Sequence, residues 1–370
     1  MQVARVISSV SSRESWTVLG EDDLPVAPVE RYLAYLSDIE RSPNTVKAYA
    51  HDLKDWFAFL ADRGLDWRAV RLDDVGEFVA WLRLPLQARA RDGRVAVLPS
   101  VAHHCTESTV NRKLSAVGAF YTHAGRDGVE VAESLTSWQV GGARGGWRPF
   151  LHHISKSEPK PRRVVALKTP KKLPRVLTPV EVQSVLDGCQ RLRDRLLFAL
   201  LYDTGMRIGE ALGLRHNDIA AAEGEVTVRC RDNANGARAK SANSRTIPVS
   251  AELIRLYADY LHGEYGDLDS DYVFVNLWGH PRGHPLTYAA VYDLVRRLRR
   301  RVGIDFDPHW LRHSAATRML RDGIGIEVVA RLLGHSSVAT TSSTYGHLTV
   351  EDARRVMEQA GWFTDEQVSW

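Results

Sequence analysis

The sequence predicts a mainly α-helical protein of two domains, with a small antiparallel sheet in the second domain. Apolar residues recur at three- and four-residue spacing along most of the chain, which is typical of helices that bury one face. Glycine, proline and lysine accumulate between residues 136 and 175 and mark a boundary. Two short β-type runs, "EVTVR" and "SRTIPVS", flank an Asn235-Gly236 turn signal.

The first domain is predicted to be helical. The stretch "SPNTVKAYAHDLKDWFAFLADRG" predicts one complete helix, with Ser42 as its cap, Pro43 in the first turn and Gly64 at the end. Its apolar stripe is Val46, Tyr49, Leu53, Phe57 and Leu60. Further helices are predicted over residues 73–82 and after Ser108, with the segment "LPLQARARDGRVAVLPS" as a loop or hairpin insertion between them.

The second domain begins after the boundary. Thr178 is a predicted helix cap followed by Pro179, and the run "DRLLFALLYDTG" is apolar on nearly all sides, which predicts a buried helix that stops at Gly205. Helices resume at Ala251 after the β-type runs. The predicted organisation is a lead over residues 1–21, a helical domain over 22–135, a basic linker over 136–175, a second domain over 176–363 and a tail over 364–370.

Composition is that of an ordinary globular protein, since 44% of the 370 residues are hydrophobic and 25% are charged. No apolar run approaches the roughly 18–20 residues of a membrane span, and the amino terminus lacks the apolar core of a signal peptide, so a cytoplasmic location is expected. Cys105, Cys189 and Cys230 are scattered, which favours reduced structural thiols over a disulfide framework or a zinc site.

Positive charge is concentrated in two places, although the net charge is only +4. Lys156–Arg175 holds eight Lys or Arg residues and one Glu, and Arg296–Arg301 reads "RRLRRR". Either run alone would suit a solvated face or a linker. Because both flank the segments discussed next, they favour a polyanion as the partner.

Two Arg-centred pairs carry the candidate chemistry. Arg207 and Glu210 are three residues apart on one predicted helix, and so are His309 and Arg312 on another. Each pair alone would be an ordinary structural contact. Together, two guanidinium forks match phosphate oxygens, and histidines can donate further hydrogen bonds or move a proton.

A phosphate held in this way could be attacked by a phenol. Tyr345 follows His335 closely, and its anion would be favoured beside two arginines, so it could form a phosphotyrosine ester. The sequence shows no carboxylate cluster suited to magnesium and no His/Cys spacing suited to zinc, so no metal is expected.

The motifs "TGMRIGEALGL", "HWLRHSAATRML" and "LLGHSSVATTSSTYGH", with Lys240 between the first two, resemble the boxes of the tyrosine recombinase or phage integrase family. The stretch "SPNTVKAYAHDLKDWFAFL" is similar to the family's DNA core-binding domain. The resemblance implies an N-terminal helical, SAM-like core-binding domain and a C-terminal mixed α/β catalytic domain of the integrase fold.

The resemblance also implies a role for each matching residue. Tyr345 would be the nucleophile, Lys240 the general acid on a hairpin loop, and His335 stands where some members have tryptophan. The implied catalytic set is Arg207, Lys240, His309, Arg312, His335 and Tyr345, with Glu210 in support. Lys171, Lys172 and Arg238 rival Lys240 as the acid, and His313 is expected to give local support.

By the same resemblance, the chain would be a site-specific DNA recombinase or integrase that works through a 3′-phosphotyrosyl intermediate, without metal, ATP or another cofactor. Its length and long lead are reminiscent of the transposase A type; a phage integrase and a chromosome-dimer resolvase remain open. The rival interpretations are a type IB topoisomerase, an inactive DNA-binding protein and a metal-dependent nuclease.

The expected partners follow from the same family. They are double-stranded DNA at a specific site, a homo-tetramer on that DNA and accessory DNA-bending or sister transposition proteins, at the nucleoid. The segment "LTVEDARRVMEQAGWF" carries a helical apolar stripe. The family's habit is to dock this segment on a neighbouring subunit.

Overall fold

The structure of the chain is a computed structural model that describes residues 1–7, 14–85, 89, 103–131, 135–139, 160–169, 174–239, 243–335 and 337–345. The side chains of residues 14, 136–139, 160–163 and 343–345 lie outside that description. So do Lys240, most of the predicted insertion and the segment that follows Tyr345. The chain forms two compact units, Met1–Lys171 and Lys172–Trp370.

The first unit begins with a pair of strands in the predicted lead, to which the sequence analysis had assigned no structure. β1 (Gln2–Ile7) and β2 (Glu14–Leu19) are antiparallel, with Gln2 opposite Leu19 and Ile7 opposite Glu14. Val18 is fully buried. The lead is therefore part of the first unit's core.

Four helices have their bounds within the described part of the first unit. They are α1 (Ala27–Asp38), α2 (Pro43–Arg63), α3 (Leu72–Arg83) and α4 (Glu107–Ala124). α2 confirms the prediction in detail, since the hydroxyl of Ser42 accepts the N–H of Thr45 at 3.2 Å and Gly64 ends the helix at φ +63°. α4 begins slightly earlier than predicted, because Thr106 and not Ser108 caps it.

Aromatic side chains fill the core between these helices. The indole N–H of Trp56 donates to the hydroxyl of Tyr121 at 3.3 Å, and that hydroxyl donates to the carbonyl of Trp67 at 2.8 Å. These hydrogen bonds offset the cost of burying the polar groups of Trp56 and Tyr121.

A charged cluster is also buried in the first unit. The carboxylate of Asp52, which is fully buried, binds the ammonium of Lys113 at 3.2 Å and the guanidinium of Arg112. The same ammonium lies 2.7 Å from a carboxylate oxygen of Asp55. This network joins α2 to α4.

The predicted linker also differs from a plain connection. β3 (Thr136–Gln139) and β4 (Lys160–Arg163) pair in antiparallel fashion. Farther along, the N–H of Leu167 donates to the side-chain oxygen of Asn111 at 2.9 Å, and the amide of Asn111 returns a bond to the carbonyl of Leu167 at 2.8 Å. The described part of the linker is therefore attached to the first unit.

The second unit is mixed α/β, as predicted. Its strands are β5 (Ile219–Ala220), β6 (Glu225–Val228) and β7 (Arg245–Pro248), in the antiparallel order β5-β6-β7. Its helices are α5 (Pro179–Asp187), α6 (Leu192–Thr204), α7 (Ile208–Leu212), α8 (Ala251–Tyr260), α9 (Tyr288–Val302), α10 (Pro308–Arg321), α11 (Ile326–Leu333) and α12 (Val338–Tyr345).

α6 is the central helix of this unit and packs against α8 and α10. Its leucines and Phe198 are buried on several sides, which explains the run of apolar residues in the sequence. It stops at Gly205, as predicted, at φ +65°. Within the described ranges, no helix has both the length and the apolar character needed to cross a bilayer.

Candidate active site

The turn after α6 places the first arginine of the site. A Cβ at Gly205 would lie 2.7 Å from a methyl group of Leu333, so only glycine fits this turn. Arg207 then caps α7. One carboxylate oxygen of Glu210 accepts the backbone N–H of Arg207 at 2.9 Å, and the other accepts its guanidinium at 3.0 Å. The predicted pair is thus a capping contact that also fixes the guanidinium.

Arg312 is buried on α10, with only 2% of its surface exposed. Its guanidinium donates to the carbonyl of Gly205 at 2.8 Å and to the carbonyl of Leu333 at 2.9 Å. Arg207 also points toward the carbonyl of Leu333, at 3.5 Å. The two arginines, which are 105 positions apart in the sequence, therefore converge on the end of α11.

His335 completes this convergence, and its contacts define its tautomer. Its Nε2 lies 2.9 Å from the guanidinium of Arg312, which can only donate, so Nε2 carries no proton. The proton is on Nδ1, which donates to the hydroxyl of the buried Thr341 at 2.7 Å. In this arrangement Nε2 accepts a hydrogen bond from Arg312 and Nδ1 donates to Thr341, so the ring has no N–H left for another acceptor.

The charge of His335 follows from the same surroundings. Burial, followed by the charge of Arg312 and of two further arginines, lowers the pKa of His335 to about 4. The imidazole is therefore neutral near pH 7. The positive charge of the cluster resides on its guanidinium groups.

Arg245 is a member of the cluster to which the sequence analysis gave no role. Its guanidinium binds the carboxylate of Glu210 at 2.6 and 3.3 Å, and its Nε donates to the carbonyl of Leu332 at 2.7 Å. A Cβ at Gly334 would lie 2.7 Å from this guanidinium. Arg245 thus ties the start of β7 to α7 and to the end of α11. The sequence signal was an arginine at the start of a strand, five residues after Lys240.

Glu210 is ionised although it is buried. Burial alone would raise its pKa, but the hydrogen bonds and charge of Arg245, followed by those of Arg207, lower the pKa of Glu210 below its ordinary value. The carboxylate holds two guanidinium groups in fixed positions. Its role in the geometry is to orient the arginines.

The two histidines of α10, His309 and His313, flank Arg312 in the sequence, and their rings lie close together. The ring centroids of His309 and His313 are 4.5 Å apart, with an interplanar angle of 72°. Burial, followed by the charges of His309 and Arg312, lowers the pKa of His313 to about 4. His309 is exposed, and its backbone N–H is held by Asp307 at 2.8 Å.

The remaining two predicted residues are described only in part. Tyr345 is the last residue of α12, four positions after Thr341, and its side chain lies outside the description. Lys240 lies outside the described residues, as do its rivals Lys171 and Lys172. The third rival, Arg238, forms an ion pair with Asp232 at 3.3 Å.

Comparison with known proteins identifies the family. The profile of the phage integrase family matches residues 175–352, and that of the phage integrase N-terminal SAM-like domain matches residues 29–128. Transposase A from transposon Tn554 of Staphylococcus aureus is 36% identical over 356 residues, which is 96% of each chain. This chain belongs to the phage integrase family. The enzyme class that goes with this membership is the tyrosine-type site-specific recombinase.

Other members of the phage integrase family and their structures show the same relationship. Tyrosine recombinase XerA of Thermococcus onnurineus is 29% identical over 334 residues, with 90% of this chain and 94% of the relative covered. The Tn1549 transposon integrase in complex with transposon right end DNA has a TM-score of 0.60 at 18% identity and covers 90% of this chain and 99% of that structure. At this identity the structural likeness establishes the two-domain fold alone.

Proposed function

We propose that this chain is a transposase of the tyrosine recombinase class, which cuts and rejoins DNA strands at a specific site through a 3′-phosphotyrosyl intermediate. The near full-length match to the Tn554 transposase A supports the role in transposition. The observation that carries the chemistry is the convergence of Arg207, Arg312 and His335 at the end of α11.

The charge of this cluster suits a phosphodiester. Its described members include three guanidinium groups, of Arg207, Arg245 and Arg312, and one carboxylate, that of Glu210, which binds the first two; His335 is neutral. Positive charge therefore remains in excess. A phosphodiester carries one negative charge, and attack on phosphorus adds a second, so the cluster stabilises the transition state more than the ground state.

The donors differ in how a phosphate reaches them. The side chain of Arg207 keeps 23% of its surface exposed, and His309 is exposed at the start of α10, so both are accessible from solvent. Arg312 is buried, so a phosphate contacts this guanidinium only after it has entered the site. In the proposal, these three groups bind the non-bridging oxygens.

Tyr345 is the proposed nucleophile. It follows Thr341 by four residues in α12, a rise of about 6 Å along the helix axis. Thr341 holds His335, which contacts Arg312. The helix that ends at the tyrosine is thus fixed to the phosphate-binding cluster at its preceding turn, and the excess positive charge favours the phenolate.

Lys240 is the proposed general acid. The loop that carries it starts at Arg238, whose backbone carbonyl lies 3.0 Å from the position of a Cβ on Gly209, next to the capping Glu210. The described chain therefore contacts α7 two positions before Lys240 in the sequence.

The proposed reaction balances without an energy source. The phenolate oxygen of Tyr345 forms a bond to phosphorus as the bond to the 5′ oxygen breaks, and Lys240 gives its proton to that oxygen. A 5′-hydroxyl of a partner duplex then attacks the ester and returns its proton to Lys240, and the tyrosine leaves as the phenolate. Because the ester retains the bond energy, no ATP enters the scheme.

The assembly is also part of the proposal. Two duplexes must be brought together for strand exchange, which suits a tetramer on DNA at the nucleoid, with the segment after Tyr345 docked on a neighbouring subunit. That segment lies outside the described residues. Accessory proteins would select the pairing of sites.

Trapping the covalent intermediate tests the proposal. The full chain is incubated with sheared DNA that carries its coding sequence and flanks, denatured with detergent, and the DNA ends attached to protein are sequenced. Wild type should give one discrete set of ends. Tyr345→Phe should bind the same DNA and give no adduct, and an undiminished adduct from this variant would falsify the assignment of the nucleophile.

The acid can be tested separately. Lys240→Ala should cleave normal DNA more slowly by roughly 10²–10³-fold, because the leaving oxygen is no longer protonated. A substrate with sulfur at the 5′ bridging position needs little protonation and should restore most of the rate. Arg238→Ala is the matched control, and rescue of that variant instead would move the acid to the rival position.

A further inference from the structure

The arginines of the basic run Arg296–Arg301 differ in their surroundings. Arg296 pairs with Asp293, and Arg299 pairs with Asp305 at 3.2 Å and donates to a backbone carbonyl. Arg297 and Arg301, four residues apart on one face of α9, line a cavity instead. This second pair is not used by the proposed mechanism.

The cavity has a volume of about 190 Å³ and lies between the start of α6 and the end of α9. Arg191, Arg297 and Arg301 are exposed at its walls. Trp278 forms a further wall, with 49% of its surface exposed, and the guanidinium of Arg191 lies 4.4 Å from the centre of its ring. The stacked ring fixes this arginine at the rim.

The charge of the cavity is unbalanced. Arg193 also lines it, but its guanidinium is neutralised by the carboxylate of Asp194 at 2.7 and 2.8 Å. In the described part of the chain, no carboxylate lies within ion-pair distance of the three exposed arginines. Arg301 binds only neutral acceptors, the carbonyl of Gly188 at 2.8 Å and the amide of Gln190 at 3.1 Å.

The neighbouring thiol adds no negative charge, and the carboxylate at the start of α6 is already bound to the backbone. Burial raises the pKa of the Cys189 thiol to about 12, so this wall of the cavity is neutral. The backbone N–H groups at the start of α6 are already bound by the carboxylate of Glu264, at 2.9 and 3.0 Å. An anion in the cavity would be held by side chains and not by the helix terminus.

Two helices show how far the cavity is from the candidate active site. α6 runs from Arg191 to Gly205 with 13 residues, which is about 20 Å. α9 runs the other way with 15 residues, about 22 Å, from Tyr288 beside Gly209 to Val302 beside Gly188. The cavity therefore lies at the opposite end of both helices, and one phosphate cannot bind at both places.

We propose that this cavity is a second phosphate-binding site, formed by Arg191, Arg297 and Arg301 and bounded by Trp278. Three guanidinium groups that bind no carboxylate of the described residues, around a space of this size, match the oxygens of one phosphate group. The phosphate comes either from the backbone of a bound duplex, about 20 Å from the cleaved linkage, or from a small free phosphate. The first source rests on the proposed function, and the second does not.

The test compares two double variants of the full chain. Arg297→Ala with Arg301→Ala removes the cavity pair. Arg296→Ala with Arg300→Ala removes the same charge, at the same spacing, from the same helix, but outside the cavity. Each protein is titrated with inorganic pyrophosphate by calorimetry and with a duplex of random sequence at several salt concentrations.

The double variant that removes the cavity pair should bind at least one probe about tenfold or more weakly than the control double variant. If the source is DNA, the slope of log affinity against log salt should fall by about two, against less than one for the control. If the source is free phosphate, only pyrophosphate binding should be lost. Equal losses from both pairs with both probes would overturn the site.

Two further measurements keep the result clear. Because Arg301 also holds Gly188, the single variants Arg297→Ala and Arg191→Gln are measured with thermal unfolding as a check of folding. Covalent adduct formation should persist in all these variants. If wild type itself formed no adduct, that result would count against the proposed function. The pyrophosphate titration would still test whether the cavity binds phosphate.

Discussion

Both units of this chain bury a carboxylate between two cations, and the two clusters differ in their surroundings. In the first unit, Asp52 binds Lys113 and Arg112, and a second carboxylate, Asp55, shares the same lysine. In the second unit, Glu210 holds two arginines, and a third guanidinium lies close by on α10. Lys54 adds a third cation, 3.3 Å from Asp55, so the first cluster has three cations for two carboxylates, whereas the second has three for one.

The effect on the carboxylates is opposite. Burial raises the pKa of Asp52 in spite of its cations, whereas the arginines around Glu210 outweigh burial and lower its pKa. The cluster around Asp52, with the smaller excess of charge, joins two helices. The larger excess around Glu210 favours binding of a further anion.

The largest expected difference concerns the reaction rate. Arg207→Ala should slow adduct formation at saturating DNA by roughly 10²–10³-fold, because a transition-state donor is lost. The dissociation constant for DNA should change by less than about tenfold. Lys113→Ala, in the cluster of the first unit, should leave the rate at saturating DNA within about threefold and lower the unfolding temperature.

Rapid-quench assays and thermal melts of the two variants make this comparison. Arg207→Lys serves as the control, since it keeps the charge but removes the planar fork. Equal losses in rate from Arg207→Ala and Lys113→Ala would remove the functional distinction between the clusters.

The second expected difference concerns stability against pH. The lowered pKa of Glu210 means that its contribution is present above its ordinary pKa and is lost as pH falls through the folded value. The raised pKa of Asp52 has the opposite sign, so its contribution is present at low pH and is lost as pH rises through the folded value.

Glu210→Gln should therefore cost about 3 kcal/mol at pH 7 and progressively less toward pH 3. Asp52→Asn should become more stable relative to wild type as pH rises over the same range. Urea unfolding at each pH measures both. Trends of the same sign in the two variants would contradict the assignment.

The smallest expected effect concerns His335. Since burial and the neighbouring charges lower its pKa to about 4, the unfolded chain alone binds the proton between about pH 6.5 and pH 4, and the second unit loses stability on acidification over that range. His335→Gln should flatten this dependence, because glutamine does not titrate.

The same variant should keep adduct formation within about tenfold of wild type, because glutamine can accept from Arg312 and donate to Thr341. Melting temperatures between pH 7 and pH 5 and adduct rates at pH 7 are the measurements. Thr341→Val, which leaves the histidine in place, is the control for the second contact. An unchanged pH dependence in His335→Gln would show that the ring is not the titrating group.

Local signals in the sequence predicted much of the fold. The cap at Ser42, the glycine at position 64 and the stop at Gly205 were all readable because helix ends depend on a few neighbouring residues. The strands around Asn235-Gly236 were readable for the same reason. The pairing of Arg207 with Glu210 followed from a spacing of three residues.

What the sequence missed depends on contacts between distant segments. The strands of the lead are short, and their burial depends on helices that follow later in the chain. Arg245 reaches Glu210 across 35 positions, so no local pattern marks it. The proton position on His335 is set by Arg312 and Thr341 together, and it needs both contacts to be known.

The contacts that hold Arg312 have a consequence for how the chain binds a ligand. This guanidinium is already held by two carbonyl groups and an imidazole before any ligand arrives. Its rotamers are fixed once, while the chain folds, and the loss of side-chain entropy is not repeated at each encounter. A docking phosphate therefore meets a preorganised surface, and the free energy of contact is available for the reaction itself.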